Sequence, residues 1–249
     1  MNLIEYYSIT SLIYNNDNHC CEIEHFGQGD GEKFLCTNTK SLLNTNNNKS
    51  ECWILSIGCG GLFEFERLLI NRWSNCKIQL FDCTGNFIIP NDLKSKVTFH
   101  KLCIVSEKKY STLTSRSKIL YTTLSEMIKI GSKSITNDNN KIIKPTLFKF
   151  DAEGIEFSVL NELLISTSQD MLPKQMVIEL HLRMWHSPEY FTIRRGGEYL
   201  IPLNTSKQTF DLLEKRGYRI VHRADNPGDD ACTELTVILE DDLPSLSSL

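Results

Sequence analysis

Apolar positions along this chain fall into short runs that alternate with stretches of helical periodicity. Cys52-Trp53-Ile54-Leu55-Ser56-Ile57 is such a run, ended by Gly58-Cys59-Gly60-Gly61, and it predicts a strand followed by a tight turn. Leu62, Phe65, Leu69 and Trp73 then recur at helical spacing with Glu64, Glu66, Arg67 and Arg72 between them, which predicts a helix burying one stripe. Lys77-Ile78-Gln79-Leu80-Phe81-Asp82 completes a strand, helix, strand unit with an acidic tip. A third strand is expected over residues 97–105, with His100 as a half-buried sheet histidine.

Thr123-Leu124-Ser125-Glu126 has capping-box spacing, and Gly131 predicts the stop of a short helix. Strands follow at Thr146–Asp151 and Met176–Leu182, separated by an amphipathic helix carrying Phe157, Leu160, Leu163 and Leu164. The spacing of Thr205 and Gln208 predicts a helix over residues 206–216, stopped by Gly217. Strands near residues 218–222 and 235–239, joined by a turn at Asp225-Asn226-Pro227-Gly228, have no crossover helix and must pair antiparallel. Ahead of all this, Phe26 to Cys36 holds three glycines around Asp30 and reads as a tight turn entering a short strand. It is either a surface hairpin or a lid.

At 249 residues the chain suits one α/β domain, with residues 1–49 as an extension or lid and 50–249 as the main domain. A net charge of -4 offers no basic surplus for a phosphate backbone, so no nucleic-acid partner is expected. Nine cysteines without a Cys-x-x-Cys pair fit neither a zinc site nor a complete disulfide framework, and reduced, mostly buried thiols are expected. No segment approaches ~20 apolar residues, the length of a membrane span. A cytoplasmic location is therefore the default, with the secretory pathway open if an anchor preceded this chain. Asparagine clusters such as Asn44 to Asn48 read as surface loops.

Two stretches carry candidate chemistry. Gly58 and Gly60 allow positive φ and close approach of a ligand, with Gly31 and Asp30 as further candidate cofactor residues. Asp82 lies about the ~20-residue interval beyond Gly58 at which a carboxylate reaches ribose hydroxyls. Phe63 occupies the place of the third glycine of a dinucleotide fingerprint. Its bulk disfavours NAD and an oxidoreductase, and favours S-adenosyl-L-methionine, which has no phosphate. The second stretch, Asp151-Ala152-Glu153-Gly154-Ile155-Glu156, puts carboxylates where a strand hands over to a helix, the ligand-binding edge of a parallel sheet. Glu153 and Glu156 there have the alternative of serving the helix dipole alone. Glu179, in an apolar run, needs a partner or a ligand, and His181 shares its face by the strand period. A structural pair and a site pair both remain open. The loop over residues 183–204, with Trp185, Arg194 and Arg195, reads as a lid or substrate loop.

These elements together resemble a class I S-adenosylmethionine-dependent methyltransferase. Residues 148–156 are similar to the "K-I-D-V-E-G-x-E" signature of FkbM-like enzymes. Residues 30–36, with Ser56-Ile57-Gly58 and Phe65-Glu66, resemble patterns of a group of animal methyltransferase-like proteins. The resemblance implies a Rossmann-like fold, a seven-stranded mostly parallel sheet with helices on both faces and a C-terminal antiparallel hairpin. It implies cofactor contacts from Gly58, Gly60 and Asp82, and places Asp151, Glu153 and Glu179 facing the reactive methyl and the substrate, where a catalytic role without a metal is expected of them. His181, Trp185, Arg194 and Arg195 become candidate substrate contacts. The acceptor would be a hydroxyl or amine of a sugar, protein or small molecule. The alternative is a catalytically silent binding module. Ser56 departs from the acidic residue that many class I enzymes carry two positions before the first glycine. Members of the narrower group often have a membrane anchor ahead of this domain, and none is seen in this chain.

Overall fold

The structure, a computed structural model, describes residues 21–45, 52–136, 138, 141–184, 194–195, 198–226 and 231–244. A seven-stranded sheet organises the chain. Five strands are parallel: β3 (Trp53–Ile57), β4 (Lys77–Phe81), β5 (Val97–His100), β8 (Leu147–Phe150) and β9 (Gln175–His181). β13 (Tyr218–Asp225) and β14 (Cys232–Leu239) form the antiparallel hairpin, and β14 pairs with β9, so the order is β13-β14-β9-β8-β3-β4-β5. The strand order reverses between β3 and β8, and ligands bind such sheets at that switch point, beyond the carboxyl ends of the strands.

Both faces of the sheet are covered, which is why its central strands are apolar on both sides. α2 (Glu64–Arg72) covers one face, with Phe65, Leu69 and Trp73 buried against Ile54, Ile78 and Leu80. On the other face lie α4 (Leu124–Thr136), α5 (Glu156–Ser166) and α6 (Leu203–Lys215), which pack on Trp53, Phe148, Phe150 and Ile178. α1 (Lys40–Thr45) and α3 (Glu107–Thr112) are short.

The N-terminal hairpin, β1 (Ile23–Phe26) and β2 (Lys33–Cys36), packs into the same core. The Gln175 side chain accepts from the Cys36 amide at 2.9 Å and donates to the Cys36 carbonyl at 3.1 Å, clamping β2 to β9. Small ladders complete the fold: β6 (Cys103–Ile104) with β7 (Tyr121–Thr122), and β10 (Arg183–Met184) and β11 (Arg194–Arg195) on either side of β12 (Glu198–Leu200).

Several expectations are corrected. The strand expected over 97–105 breaks after His100, where the Leu102 amide turns back to the His100 carbonyl at 2.9 Å. α4 runs through Gly131 to Thr136, and a Cβ at Gly131 would collide with the Trp53 ring. That glycine serves helix-to-sheet packing and not helix termination. α6 begins at Leu203, after Pro202, and Thr205 lies inside it. Leu62 precedes its helix and is 56% exposed, whereas Glu66, placed by periodicity among polar positions, is buried.

The thiol expectation is overturned outright. Cys21–Cys36, Cys52–Cys76 and Cys83–Cys103 are disulfides, while Cys59 and Cys232 are buried thiols. Each bridge joins positions well apart in sequence, so no short motif announces it. Burial pushes the Cys59 thiol up to about 12, so it stays protonated and inert.

Candidate active site

Gly58 and Asp151 end β3 and β8 and meet at the switch point. Gly58 has φ 78° and its amide donates to the Phe81 carbonyl at 2.9 Å. A Cβ there would overlap the Asp151 carbonyl oxygen. It is therefore the chain's own backbone that approaches Gly58 most closely. Gly60, at φ 54°, faces open space.

Asp82 closes the turn from the other side. Its Oδ2 accepts from the amides of Cys59 at 2.7 Å and Gly60 at 2.9 Å, and its Oδ1 from the Thr84 amide at 2.8 Å and hydroxyl at 2.7 Å. Burial alone would raise its pKa, but these donors outweigh it and hold the carboxyl below its usual range. About four acceptor positions exist on a carboxylate, and the turn occupies them all.

Beneath Asp151 lies a buried ion network centred on Lys33, whose side chain is fully buried. Its Nζ sits 3.4 Å from Asp151 Oδ2 and 3.2 Å from Glu179 Oε2, and donates to Glu234 Oε1. Glu179 and Glu234 are directly opposite on β9 and β14, two carboxyl groups that share the ammonium between them. Burial would lower the Lys33 pKa, but Asp151, Glu234 and Glu179 outweigh it and keep the ammonium charged. Burial pushes Glu234 up to about 8 against the pull of Lys33, so it holds a proton at neutral pH. Asp151 goes the other way: Lys149 and Lys33 overcome burial and hold it ionised. Lys149 also donates to the Gly58 carbonyl, joining the two strand tips.

His181 completes the group. Its Nδ1 is 3.1 Å from Glu156 Oε1, which also accepts from the Ala152 amide at 2.8 Å. A carboxylate only accepts, so Nδ1 carries the proton. Nε2 lies 3.8 Å from Glu153 and 3.9 Å from Glu179. Burial would lower the His181 pKa, but Glu156 reverses this and raises it to about 12. Glu153 has φ 57°, a left-handed conformation uncommon outside glycine, and its side chain is 84% exposed above the others.

A cavity of about 1240 Å³ lies over this edge. Its wall includes Gly58, Gly60, Asp82, Asp151, Glu153, Glu179 and His181, which brings together most of the residues singled out in the sequence. Gly31 and Gln28 of the N-terminal hairpin also reach it, so that hairpin borders the cavity. Asp30 lies in a 3-10 turn at Gly29–Gly31, and Arg194 and Arg195 in β11, but their side chains fall outside the described residues, as does all of Trp185.

Sequence reasoning missed Lys33, Lys149 and Glu234 as members of the site. The signal that singled out Glu179, a charge within an apolar strand, was present at Lys149, whereas Lys33 opens its strand beside Glu32 and Glu234 lies between threonine and leucine. Glu66 was missed as well. Its Oε1 accepts from the Ser56 hydroxyl at 2.7 Å, so a carboxylate reaches the neighbourhood of Ser56 from the helix.

Among the described residues, two sets of three potential metal ligands have their ligand atoms within 4.8 Å of one another: Asp151, Glu153 and His181, and Glu179, His181 and Cys232. Lys33 already sits on Asp151 and Glu179 and neutralises charge there without an ion.

Residues 8–239 match the family described as methyltransferase domain. The chain belongs to this methyltransferase family. Its cofactor is S-adenosyl-L-methionine. No curated protein sequence matches the chain. Among solved structures it is similar to the fibrillarin pre-rRNA processing protein of Methanococcus jannaschii, at 15% identity and TM-score 0.38, covering 92% of this chain and 86% of that one. It is similar to a precorrin-6y C5,15-methyltransferase of Geobacter metallireducens, at 11% identity and TM-score 0.38 over 79% and 84% of the two chains. A 1,6-didemethyltoxoflavin-N1-methyltransferase of Burkholderia thailandensis, solved with S-adenosylhomocysteine, gives 10% identity and TM-score 0.36 over 80% and 76%.

The methyltransferase has features that suit the cofactor: a large cavity at the switch point, an open Gly60, and an ionised Asp82 and a buried Glu66 carboxylate oxygen as hydrogen-bond acceptors, the latter with no hydrogen-bond partner among the described residues. No helix among the described residues is long and apolar enough to cross a membrane.

Proposed function

We propose that this methyltransferase alkylates a hydroxyl or amine that Asp151 and Glu179 orient and relieve of its proton. The observation that carries the reading is the fully buried Lys33 ammonium, which touches both carboxylates while both also line the cavity. The bound cofactor supplies a methyl group on a sulfonium, already joined to a good leaving group. What the chain must add is alignment, exclusion of water and a proton acceptor.

The residues divide this work by position. Asp82, Gly60 and the turn amides hold the ribose side, where hydroxyls share or replace the Thr84 bonds. Gly31 and Gln28 cover the cavity, which supports reading residues 1–49 as its lid. Asp151 stays ionised beside Lys33 and Lys149 and so accepts a hydrogen bond from the acceptor group. Glu153, exposed at the rim, suits a hydrogen-bonding group of the acceptor, and His181, oriented by Glu156, donates to it from Nε2. Trp185, Arg194 and Arg195 are assigned to the acceptor side. The Asp151–Glu156 signature supports a place near the FkbM-like enzymes. Three disulfides support an oxidising compartment, since such bonds persist there and are rare in the cytosol.

The test uses methyl-labelled cofactor with a panel of hydroxyl and amine acceptors. Asp151→Asn keeps the shape and should lower transfer ~10²-fold or more with cofactor affinity and melting temperature retained. Full transfer by Asp151→Asn would refute the assignment, and a fall in transfer on adding a chelator would show that a metal, and not Lys33, neutralises the carboxylates during the reaction.

A further inference from the structure

Glu66 is a buried carboxylate to which no part of the ligand has yet been assigned. It lies in α2, is 1% exposed, and forms part of the cavity wall beside Gly58 and Lys149. One oxygen accepts from Ser56, while Oε2 has no hydrogen-bond partner among the described residues. An unsatisfied buried carboxylate oxygen is costly, so such an atom at a cavity wall is a place for a donor that arrives with the ligand.

The nearby cations act on Glu66 by charge alone and give their hydrogen bonds to other groups. Lys149 donates to the Gly58 carbonyl and faces Asp151 at 3.7 Å, and Lys33 serves the three carboxylates below. The donor must come from elsewhere, and it should be cationic, because a charge-assisted bond is what best offsets desolvation of a carboxylate.

We propose that Glu66 holds the α-ammonium group of the cofactor's methionine moiety, directly or through one water. The inference rests on the cofactor assignment above. Chemistry selects this group from the rest of the molecule: the sulfonium carries no hydrogen, the adenine amino group is neutral, and the ribose hydroxyls belong to the Asp82 side of the turn. Only the ammonium combines positive charge with N–H donors. Glu66 is thereby a determinant of cofactor specificity, rejecting nucleosides that lack the amino-acid head. Its Ser56 bond fixes the carboxylate so that Oε2 is the oxygen left for the ligand.

The experiment is calorimetric binding of S-adenosylhomocysteine and of 5′-methylthioadenosine, which lacks the amino-acid portion, to the wild type and to Glu66→Gln. Glutamine keeps an oxygen for Ser56 and removes the charge. The variant should bind S-adenosylhomocysteine ~10- to 100-fold more weakly while its affinity for 5′-methylthioadenosine stays within about twofold, the range expected for losing one charged hydrogen bond. Equal weakening of both ligands, or no weakening of either, overturns the proposal. If Glu66→Gln does not fold, the wild type decides alone. Its affinity for the desamino analogue of S-adenosylhomocysteine should be lower by a similar factor, and equal affinity overturns the proposal. A wild type that binds neither nucleoside refutes the cofactor assignment itself, a result distinct from the loss of discrimination.

Discussion

Lys33→Met removes the ammonium from the centre of the ion network and leaves an apolar chain of similar length among Asp151, Glu179 and Glu234. The three carboxylates lose their shared partner, and Glu179 and Glu234 face each other directly across β9 and β14. Breaking a buried pair from one side costs ~3–5 kcal/mol. For a domain of this size each kcal/mol moves the melting temperature by ~2–4 °C, so a drop of ~6–20 °C is expected. The pH dependence separates this cause from simple misfit. Glu234 titrates in the fold at about 8 against an ordinary value of 4.5, so the folded state binds the extra proton between those values. The stability linked to that proton is fully present below about 4.5 and is lost as pH rises through about 8. Without Lys33, Glu234 is favoured still more strongly in its protonated form, so the variant should lose less at pH 5.5 than at pH 8. Thermal unfolding followed by circular dichroism at both pH values measures this. A melting temperature within ~2 °C of wild type at pH 8, or a larger drop at pH 5.5, would refute the reasoning. Adding Glu234→Gln should shrink the difference between the losses at pH 5.5 and pH 8, since it removes the group that titrates between them.

Two further outcomes follow from the backbone and the cross-links. Gly58→Ala combines a positive φ with overlap on the Asp151 carbonyl and should cost ~2–5 kcal/mol. Gly60→Ala, which meets nothing, should cost only ~1–2 kcal/mol, and denaturant melts showing equal losses would contradict the packing at the switch point. Alkylation of the unreduced protein should leave Cys52, Cys76, Cys83 and Cys103 unmodified, and reductant should lower stability by ~3–4 kcal/mol per bridge of this loop length. Free alkylation of those four would remove the argument for an oxidising compartment.

The sequence by itself determined what local periodicity encodes. Apolar runs ending in glycine or acidic residues set the order of strands and helices, and the missing crossover helix after Tyr218 required an antiparallel hairpin. Asp82 and Asp151 were legible because a strand tip at the ligand-binding edge is a position along the chain as much as a place in space. Glu179 and His181 shared a face for an equally local reason, the two-residue period of a strand. Tertiary structure alone decided what fills the space between those elements. Lys33 reaches Glu179 across 146 positions and Glu234 across 201, and no spacing in the chain encodes such a meeting. The same holds for the disulfides and for Gly131, which is a glycine because Trp53 of another element occupies the place of a side chain. Glu66 shows the limit most plainly. Periodicity put it among the polar positions, and only the packing of α2 over Ser56 turned its carboxylate inward, because burial is set by what lies opposite a residue and not by its own helix.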